Sequence, residues 1–410
     1  MISELNLKNN WPVIFLILFC LVLPWSLAAM QIAAILTFVG AIIFSIRQKK
    51  SPVVWHPFYI ILFIYLITQV LASVQSPKPT ESLIAAWNND WFILLVPVLA
   101  SLLLSDKWQK IGLDVLLISS AIVAIYGIFQ FITGFDPIRG ARLAEIGRFY
   151  RATGGYNFYL TFAGNQLMAF GIAVSFFIFE KEWKSKKILY LVILILLFFS
   201  IIGTLGRSAW LGVLFIVLLG AWLVNRRVFI IAGIILLTVG IIASILSSEI
   251  AHRLTSIITP AQNEDRLNLW RTSWAMFKAH PIFGIGPAVF TDIFPQFKVP
   301  GFYDAIGHAH NDYLNTLVNS GIVGFVAWMA IWVSWFYYTT KAFLSDLLSS
   351  ADYAIVTGAI FSVSGIMVAA FFQCYYTDLE NNIFWWFVVS ASMLVINRQR
   401  RRVSPIKPSE

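Results

Sequence analysis

The sequence predicts an all-α, polytopic integral membrane protein with about twelve transmembrane helices and one long loop between spans 9 and 10. Three observations carry this. Of 410 residues, 59% are hydrophobic and only 12% charged, about half the roughly 25% charge of a soluble domain. Mean hydropathy is +0.79, and apolar windows approaching the ~20 residues that cross a bilayer core recur along the whole chain. Lysine and arginine, finally, collect at alternate junctions between those windows, as the positive-inside rule requires.

The runs fall near 12–29, 31–46, 57–74, 91–104, 111–133, 156–179, 188–205, 209–224, 228–248, 318–340, 352–376 and 382–396. The first follows a short N-terminus bearing Lys8, like a signal peptide. A second span follows at once and no A-x-A cleavage site stands out, so it reads as retained. Lys8, Arg47 to Lys50, Lys107 and Lys110, Lys181 to Lys187, Arg226-Arg227, Lys341 and Arg398 to Arg402 all lie at even-numbered junctions or at the termini. Both termini are therefore expected in the cytoplasm. The formal charge of +9 follows from these residues, and no nucleic-acid partner is expected. Cys20 and Cys374 lie in apolar runs and read as packing residues. The chain divides into spans 1–9 (1–248), a polar loop (249–316), spans 10–12 (317–396) and a basic tail (397–410), its end from Val403 read as disordered.

The opposite side carries the connections near 75–90, 134–155, 205–209, 249–316 and 377–381. There the cations are three lysines and eight arginines, against eleven lysines and seven arginines on the cytoplasmic side. Topology needs only positive charge. Arginine adds a planar, permanently charged fork that fits phosphate and carboxylate, so the preference points to a phosphate-bearing ligand on the far side.

The candidate residues follow from that side. In Gly203-Thr204-Leu205-Gly206-Arg207-Ser208-Ala209-Trp210, Gly206 is suited to end one helix and Ser208 to cap the next. Arg207 then stands at the interface, either snorkelling to lipid headgroups or pointing into a cavity between helices. Arg266 and Arg271, five apart, share a helix face poorly; Arg266 is the candidate ligand contact, and pairing with Glu264 or Asp265 is the alternative. Of Arg139, Arg142, Arg148 and Arg151, the last sits closest to the membrane re-entry and is singled out. His308 and His310 precede a helix starting around Asn311. An imidazole there suits a general base for a hydroxyl; a structural role, or zinc held with Asp312, are the alternatives, although no third ligand at a recognised spacing follows. Asp378 and Glu380, in the last outer turn, either orient a histidine, neutralise an arginine or simply face water.

Taken together, GTLGRSAWLG, DRLNLWRTSWAMFKAHPIFGIGP and HAHNDYLNTLVNSGIVGF resemble the O-antigen ligase and polymerase superfamily of bacterial inner membranes. The elements shared are an SR-x-x-W/L start of a span (with Gly206 in place of the Ser), an R-x-x-x-W run leading to P-x-x-G-x-G, and an H-N-x-x-L helix followed by G-x-x-G. The resemblance covers roughly Gly203 to Phe325, with a weaker echo at Arg151 to Asn165. It implies a GT-C-like glycosyltransferase with a periplasmic active site. Arg207 and Arg266 would bind the diphosphate of an undecaprenyl-diphosphate-linked glycan donor, and His310 would be the functional histidine. Arg151, Arg271, His308, Asn311 and Asp378 are the further substrate-binding candidates. The acceptor would be a hydroxyl of lipid A-core, attack would invert the anomeric centre, and neither a metal nor another cofactor is expected. The rivals are a polymerase or a protein O-oligosaccharyltransferase of the same superfamily and, from another class, a twelve-span transporter. The R-x10-G pattern of polymerases is not met by any outer arginine, which favours the ligase. A transporter should show related halves and charge near mid-membrane, whereas here the halves look unalike and charge clusters at one face.

Overall fold

The computed structural model of the protein describes residues 11–102, 106–180, 185–303 and 306–403; Lys8, Lys181, Lys184 and the tail from Ser404 lie outside the described residues. In chain order the helices are α1 (Pro12–Val22), α2 (Leu27–Arg47), α3 (Phe58–Val74), α4 (Pro79–Asp90), α5 (Val96–Leu99), α6 (Asp106–Thr133), α7 (Tyr159–Phe179), α8 (Lys186–Gly203), α9 (Arg207–Val224), α10 (Arg226–Leu246), α11 (Ser248–Ile258), α12 (Glu264–Ala279), α13 (Phe290–Phe297), α14 (Asp312–Phe343), α15 (Ser350–Ala369) and α16 (Leu379–Val403). Among the described residues ten helical stretches are long and apolar enough to cross a membrane, α4–α5 counting as one, while α1 and α3 are apolar but shorter. Each of those twelve overlaps one of the twelve apolar runs, the fourth only over residues 91–99. The protein is an all-α polytopic membrane protein.

The differences from the sequence reading have local causes. Residues 75–90 were expected as a connection, but Pro79 opens a helix, where its missing N–H costs nothing. The 134–155 loop holds two short antiparallel ladders, Phe135–Asp136 with Ala141–Arg142 and Glu145–Ile146 with Phe149–Tyr150. The expected loop 249–316 is largely helical: α12 and α13 share a small core with the start of α14 that includes Leu269, Met276, Ile285, Phe290, Phe294 and Val318, while α11 lies against α10 and α9. α14 begins at Asp312, in line with the helix expected around Asn311, and the basic run from Arg398 to Arg402 continues α16 instead of starting a tail.

α7, α15 and α16 are the most enclosed helices. At the other extreme α10 has no buried residue, as expected of an apolar helix surrounded by lipid. The outer connections meet at one end of the bundle. Tyr156 Oη donates to Leu23 O (3.0 Å), Lys78 pairs with Asp292 (3.0 Å), and Asp312 N–H donates to Ala370 O (2.9 Å). Lys110–Glu180 (3.0 Å), Arg398–Asp352 and the Trp55–Arg400 contact lie at the opposite end.

One break organises the site end. Gly321 is non-helical (φ 60°, ψ −168°) and divides α14. An unbroken helix of 32 residues would run about 48 Å, against a bilayer core of about 30 Å; the part beyond the break is about 33 Å. The break frees backbone groups on both sides, and the turn Pro281 to Gly286 takes them up. Ile285 and Gly286 N–H donate to Val318 O (3.0 Å) and Asn319 O (2.9 Å), while Ile322 and Val323 N–H donate to Pro281 O (2.8 Å) and Ile282 O (3.2 Å). The P-x-x-G-x-G and G-x-x-G elements are thus the two halves of one reciprocal cap. A Cβ at Gly321 would lie 2.2 Å from Ile282 O, at a φ that favours glycine. Gly321→Ala should therefore lose about 2 kcal/mol or more, read as a lowered thermal unfolding midpoint in detergent; an unchanged midpoint would refute the cap's importance.

Candidate active site: a cationic cavity beside two histidines

α8 ends at Gly203 and α9 starts at Arg207, with Leu205 in the left-handed region (φ 54°) and Gly206 as N-cap. The expected roles of Gly206 and Ser208 therefore shift. Gly206 precedes a helix instead of ending one, and the Ser208 hydroxyl, being two residues too far in to cap, meets Tyr375 Oη at 2.9 Å. Arg207 is turned inward: Nη1 donates to Ser256 O (3.0 Å) and Ser256 Oγ (2.8 Å) on α11.

A cavity of about 450 Å³ opens beside it, lined by Arg151, Arg207, Arg253 and Arg266 together with Tyr159, Gln262 and the first residues of α9. The carboxylates of Glu264 and Asp265 also line it, where they complement the N-terminus of α12. Arg266 forms no ion pair among the described residues. A second cleft of about 430 Å³ adjoins, sharing Arg207, Arg253 and Gln262 and adding Ser248, Glu249 and His252. Four guanidiniums and a helix N-terminus facing one cavity make an anion site; a cation opening a helix is unfavourable by about 0.3–1 kcal/mol until an anion joins it.

The remaining arginines are engaged elsewhere or exposed. Arg139 is held by Asp136 (2.7 Å) and Gly155 O (2.7 Å), Arg148 lies 3.5 Å from Glu249, and Arg142 is exposed. Arg271 is also exposed, on the far side of α12 from Arg266, and donates to Asn268 Oδ1 (3.2 Å). Arg151 lies 4.2 Å over the Tyr159 ring, and its buried Nε has no protein partner among the described residues. Sequence reasoning passed over Arg253. Its signal is the amphipathic face of α11, where Ile250, Leu254 and Ile257 leave Arg253 and Ser256 together on the polar side. Burial, then the neighbouring Arg151 charge, holds the Arg253 pKa below the ordinary guanidinium value.

His310, just before α14, adopts a left-handed backbone (φ 47°). Its Nδ1 lies 2.6 Å from Gln373 Oε1. An amide oxygen only accepts, so the proton sits on Nδ1 and the ring lone pair on Nε2. The His310 N–H donates to His308 Nδ1 (3.1 Å), and the rings stand 4.2 Å apart. Burial first, then His310 and Arg266, lower the His308 pKa to about 3. His308 is thus a neutral support for the His310 backbone, adjacent to Arg266. Asn311 caps α14 by accepting from Leu314 N–H (3.0 Å). The Asp312 carboxylate accepts from Tyr375 N–H (2.8 Å) and Tyr376 N–H (2.9 Å) rather than facing the histidines as a ligand. Among the described residues no group of three or more His, Cys, Asp or Glu gathers in a metal-holding arrangement. Asp378 accepts from the Thr161 hydroxyl. Arg271, His308, His310, Asn311 and Asp378 do not line the cavity.

His310 and Arg207 are joined through one segment: Gln373 meets His310, and Tyr375 meets Ser208 beside Arg207. Neither Gln373 nor Tyr375 was legible, because both fall at the end of an apolar run read as part of span 11.

Fold and site define a multi-span helical membrane protein with a cavity lined by four arginines at one end of its bundle. The family model described as O-Antigen ligase matches residues 191–329, which supports the O-antigen ligase superfamily. That family implies glycosyltransferase-like ligase or polymerase activity on a lipid-linked glycan. The match includes Arg207, Arg253, Arg266, His308 and His310, and leaves Arg151, Gln373 and Asp378 outside it. No curated protein matches the chain.

Asp378 generates a pH test. Burial, then neighbouring Glu380, raises its pKa to about 7, above the unfolded value of about 3.9. A raised folded pKa means the folded state holds the proton more tightly, so the associated stability is present below pH ~4 and lost as pH rises through ~7. Thermal midpoints measured from pH 4 to 8 should fall over that window in the wild type, and Asp378→Asn should flatten the slope.

Proposed function

We propose that the protein is an O-antigen ligase: it transfers a glycan from undecaprenyl diphosphate to a hydroxyl of a lipid A-core acceptor at the periplasmic face of the bacterial inner membrane. The observation that carries this reading is the cavity in which Arg151, Arg207, Arg253 and Arg266 converge, tied through residues 373–375 to His310. Nε2 of His310 takes the acceptor's proton as its oxygen attacks the anomeric carbon. The bond from that carbon to the diphosphate oxygen breaks, and the electron pair leaves with undecaprenyl diphosphate. Guanidiniums held in place before reaction stabilise the charge that develops on the leaving group. At an effective dielectric of ~20, one unit charge pair ~4 Å apart contributes about 4 kcal/mol, so several fixed cations supply a large share of a typical barrier reduction. The adjoining cleft, with Ser248, His252 and Gln262, suits an acceptor rich in hydroxyls. Attack from the face opposite the diphosphate inverts the anomeric centre.

A polymerase of the same superfamily is the second reading, and the missing R-x10-G pattern weighs against it. A transporter would use the freed backbone of a broken helix to hold its substrate. In α14 the 281–286 turn occupies those groups.

A deletion strain separates the two enzymes. A ligase predicts lipopolysaccharide without long chains while lipid-linked long chains accumulate; a polymerase predicts loss of elongation altogether. His310→Ala should reduce glycan transfer about 100-fold or more, the range of general-base catalysis, with membrane insertion intact; transfer at the wild-type rate would remove its assigned role. Arg207→Lys keeps the charge and loses the fork, so transfer should drop about tenfold or more. Wild-type behaviour of that variant would mean that bidentate phosphate recognition is wrong.

A further inference from the structure

At the end of the bundle opposite the cationic cavity, a cleft of about 530 Å³ opens between the 54–57 segment, the last turn of α14 and the end of α16. Its volume lies within the roughly 300–1,000 Å³ of small-molecule sites. Lys341, Arg400 and Arg401 line it, and no carboxylate does. None of the three forms an ion pair among the described residues. Arg400 donates one N–H to Trp55 O (3.3 Å), which fixes a fork having five donors at the cleft. Two more enclosed cations at this end, Arg398 and Lys110, are by contrast matched in place by Asp352 and Glu180. Orientation in the bilayer accounts for positive charge at this end. It does not account for three unmatched cations from two helices lining one cleft.

The rest of the lining is mostly apolar or aromatic, apart from Ser345 and Gln399, whose side chains bond each other (3.2 Å). His56 is buried, 1% exposed, and its ring stands edge-on to Tyr338 at 4.4 Å. Trp55 and Leu347, 64% and 59% exposed, extend the lining toward the outside beside the cations. Tryptophan at a span end is characteristic of the membrane–water interface. A free phosphate would use only the cationic part. A ligand with a phosphate head and a hydrocarbon body would use both.

We propose that this cleft binds the headgroup of an anionic phospholipid, its phosphodiester on Lys341, Arg400 and Arg401 and its first acyl carbons against Trp55 and Leu347. Basic pockets between helix ends bind such headgroups elsewhere by the same charge pairing. The site is separate from the reaction proposed above and stands or falls without it.

The test is native mass spectrometry of the intact, detergent-purified protein titrated with dioctanoyl-phosphatidylglycerol, dioctanoyl-phosphatidylcholine or inorganic phosphate. Phosphatidylglycerol should bind the wild type, phosphatidylcholine of equal chain length about tenfold more weakly or worse, and excess inorganic phosphate should not displace the lipid. The triple variant Lys341→Gln, Arg400→Gln, Arg401→Gln should lose phosphatidylglycerol affinity about tenfold or more, whereas Arg207→Lys should keep it. Leu347→Glu, at an exposed position, provides a second variant that should weaken the lipid without altering the arginines. Equal affinity in the triple variant or in Leu347→Glu, equal binding of phosphatidylcholine, or displacement by inorganic phosphate would each overturn the proposal.

Discussion

A helix interrupted within a membrane protein must find partners for the backbone groups it releases, since an unpaired amide or carbonyl away from water costs several kcal/mol. At Gly321 the partners are supplied by a turn 35 to 40 residues upstream in the same chain. That requirement ties the 249–311 region to the bundle. α12 runs directly into the turn, so Arg266 is referenced to α14 from one direction. His308 and His310 lead directly into α14, so they are referenced to it from the other. Glycine is obligatory at both contact points: Gly284 (φ 74°) lies against Val318 and Asn319, and Gly321 against Ile282.

The cationic cavity carries the opposite kind of constraint. Arg151, Arg207, Arg253 and Arg266 crowd like charges where solvent is restricted, and Arg207 also opposes the dipole of its own helix. Only Glu264 and Asp265 offset them in the lining. Side chains are kept in such a place by anchors rather than by mutual attraction. Ser256 holds Arg207, and the Tyr159 ring carries Arg151. An arrangement that is unfavourable until filled is suited to a multiply charged anion, because binding removes the repulsion as well as adding contacts.

Much of this was legible in the sequence, for identifiable reasons. The apolar runs reappear as helices, the run 91–104 only in part, because composition alone separates lipid-facing segments from the rest. The arginine preference of one side pointed to Arg207, Arg266 and Arg151, and the structure brings those three to one cavity. What was hidden depended on contacts between distant segments. Helix α4 was read as a connection: with Glu81, Asn88, Asn89 and Asp90 it holds no long apolar run. Arg253 lay in a stretch read as loop, although its amphipathic spacing was visible. Ser208 looked like a cap, but the position of Gly206 leaves that hydroxyl to Tyr375. Gln373 and Tyr375 gave no local signal at all, since a partner across 63 or 167 residues leaves no periodicity behind.

That last pair ties the histidines to the cationic cavity. The matched family segment contains Arg207 and His310, yet the contacts that join them come from beyond it. Asp312 fixes the joining segment by accepting both the Tyr375 and Tyr376 amides, and Tyr376 is wedged edge-on against Trp328, Trp332 and Trp385. Gln373 therefore meets His310, and Tyr375 meets Ser208, from a backbone that has little room to move. Misplacement by about 1 Å can cost a reaction ~100-fold. Rigidity between residues 373 and 376 then does for His310 and the cationic cavity what the Gly321 cap does for the loop region: it turns two local structures into one geometry.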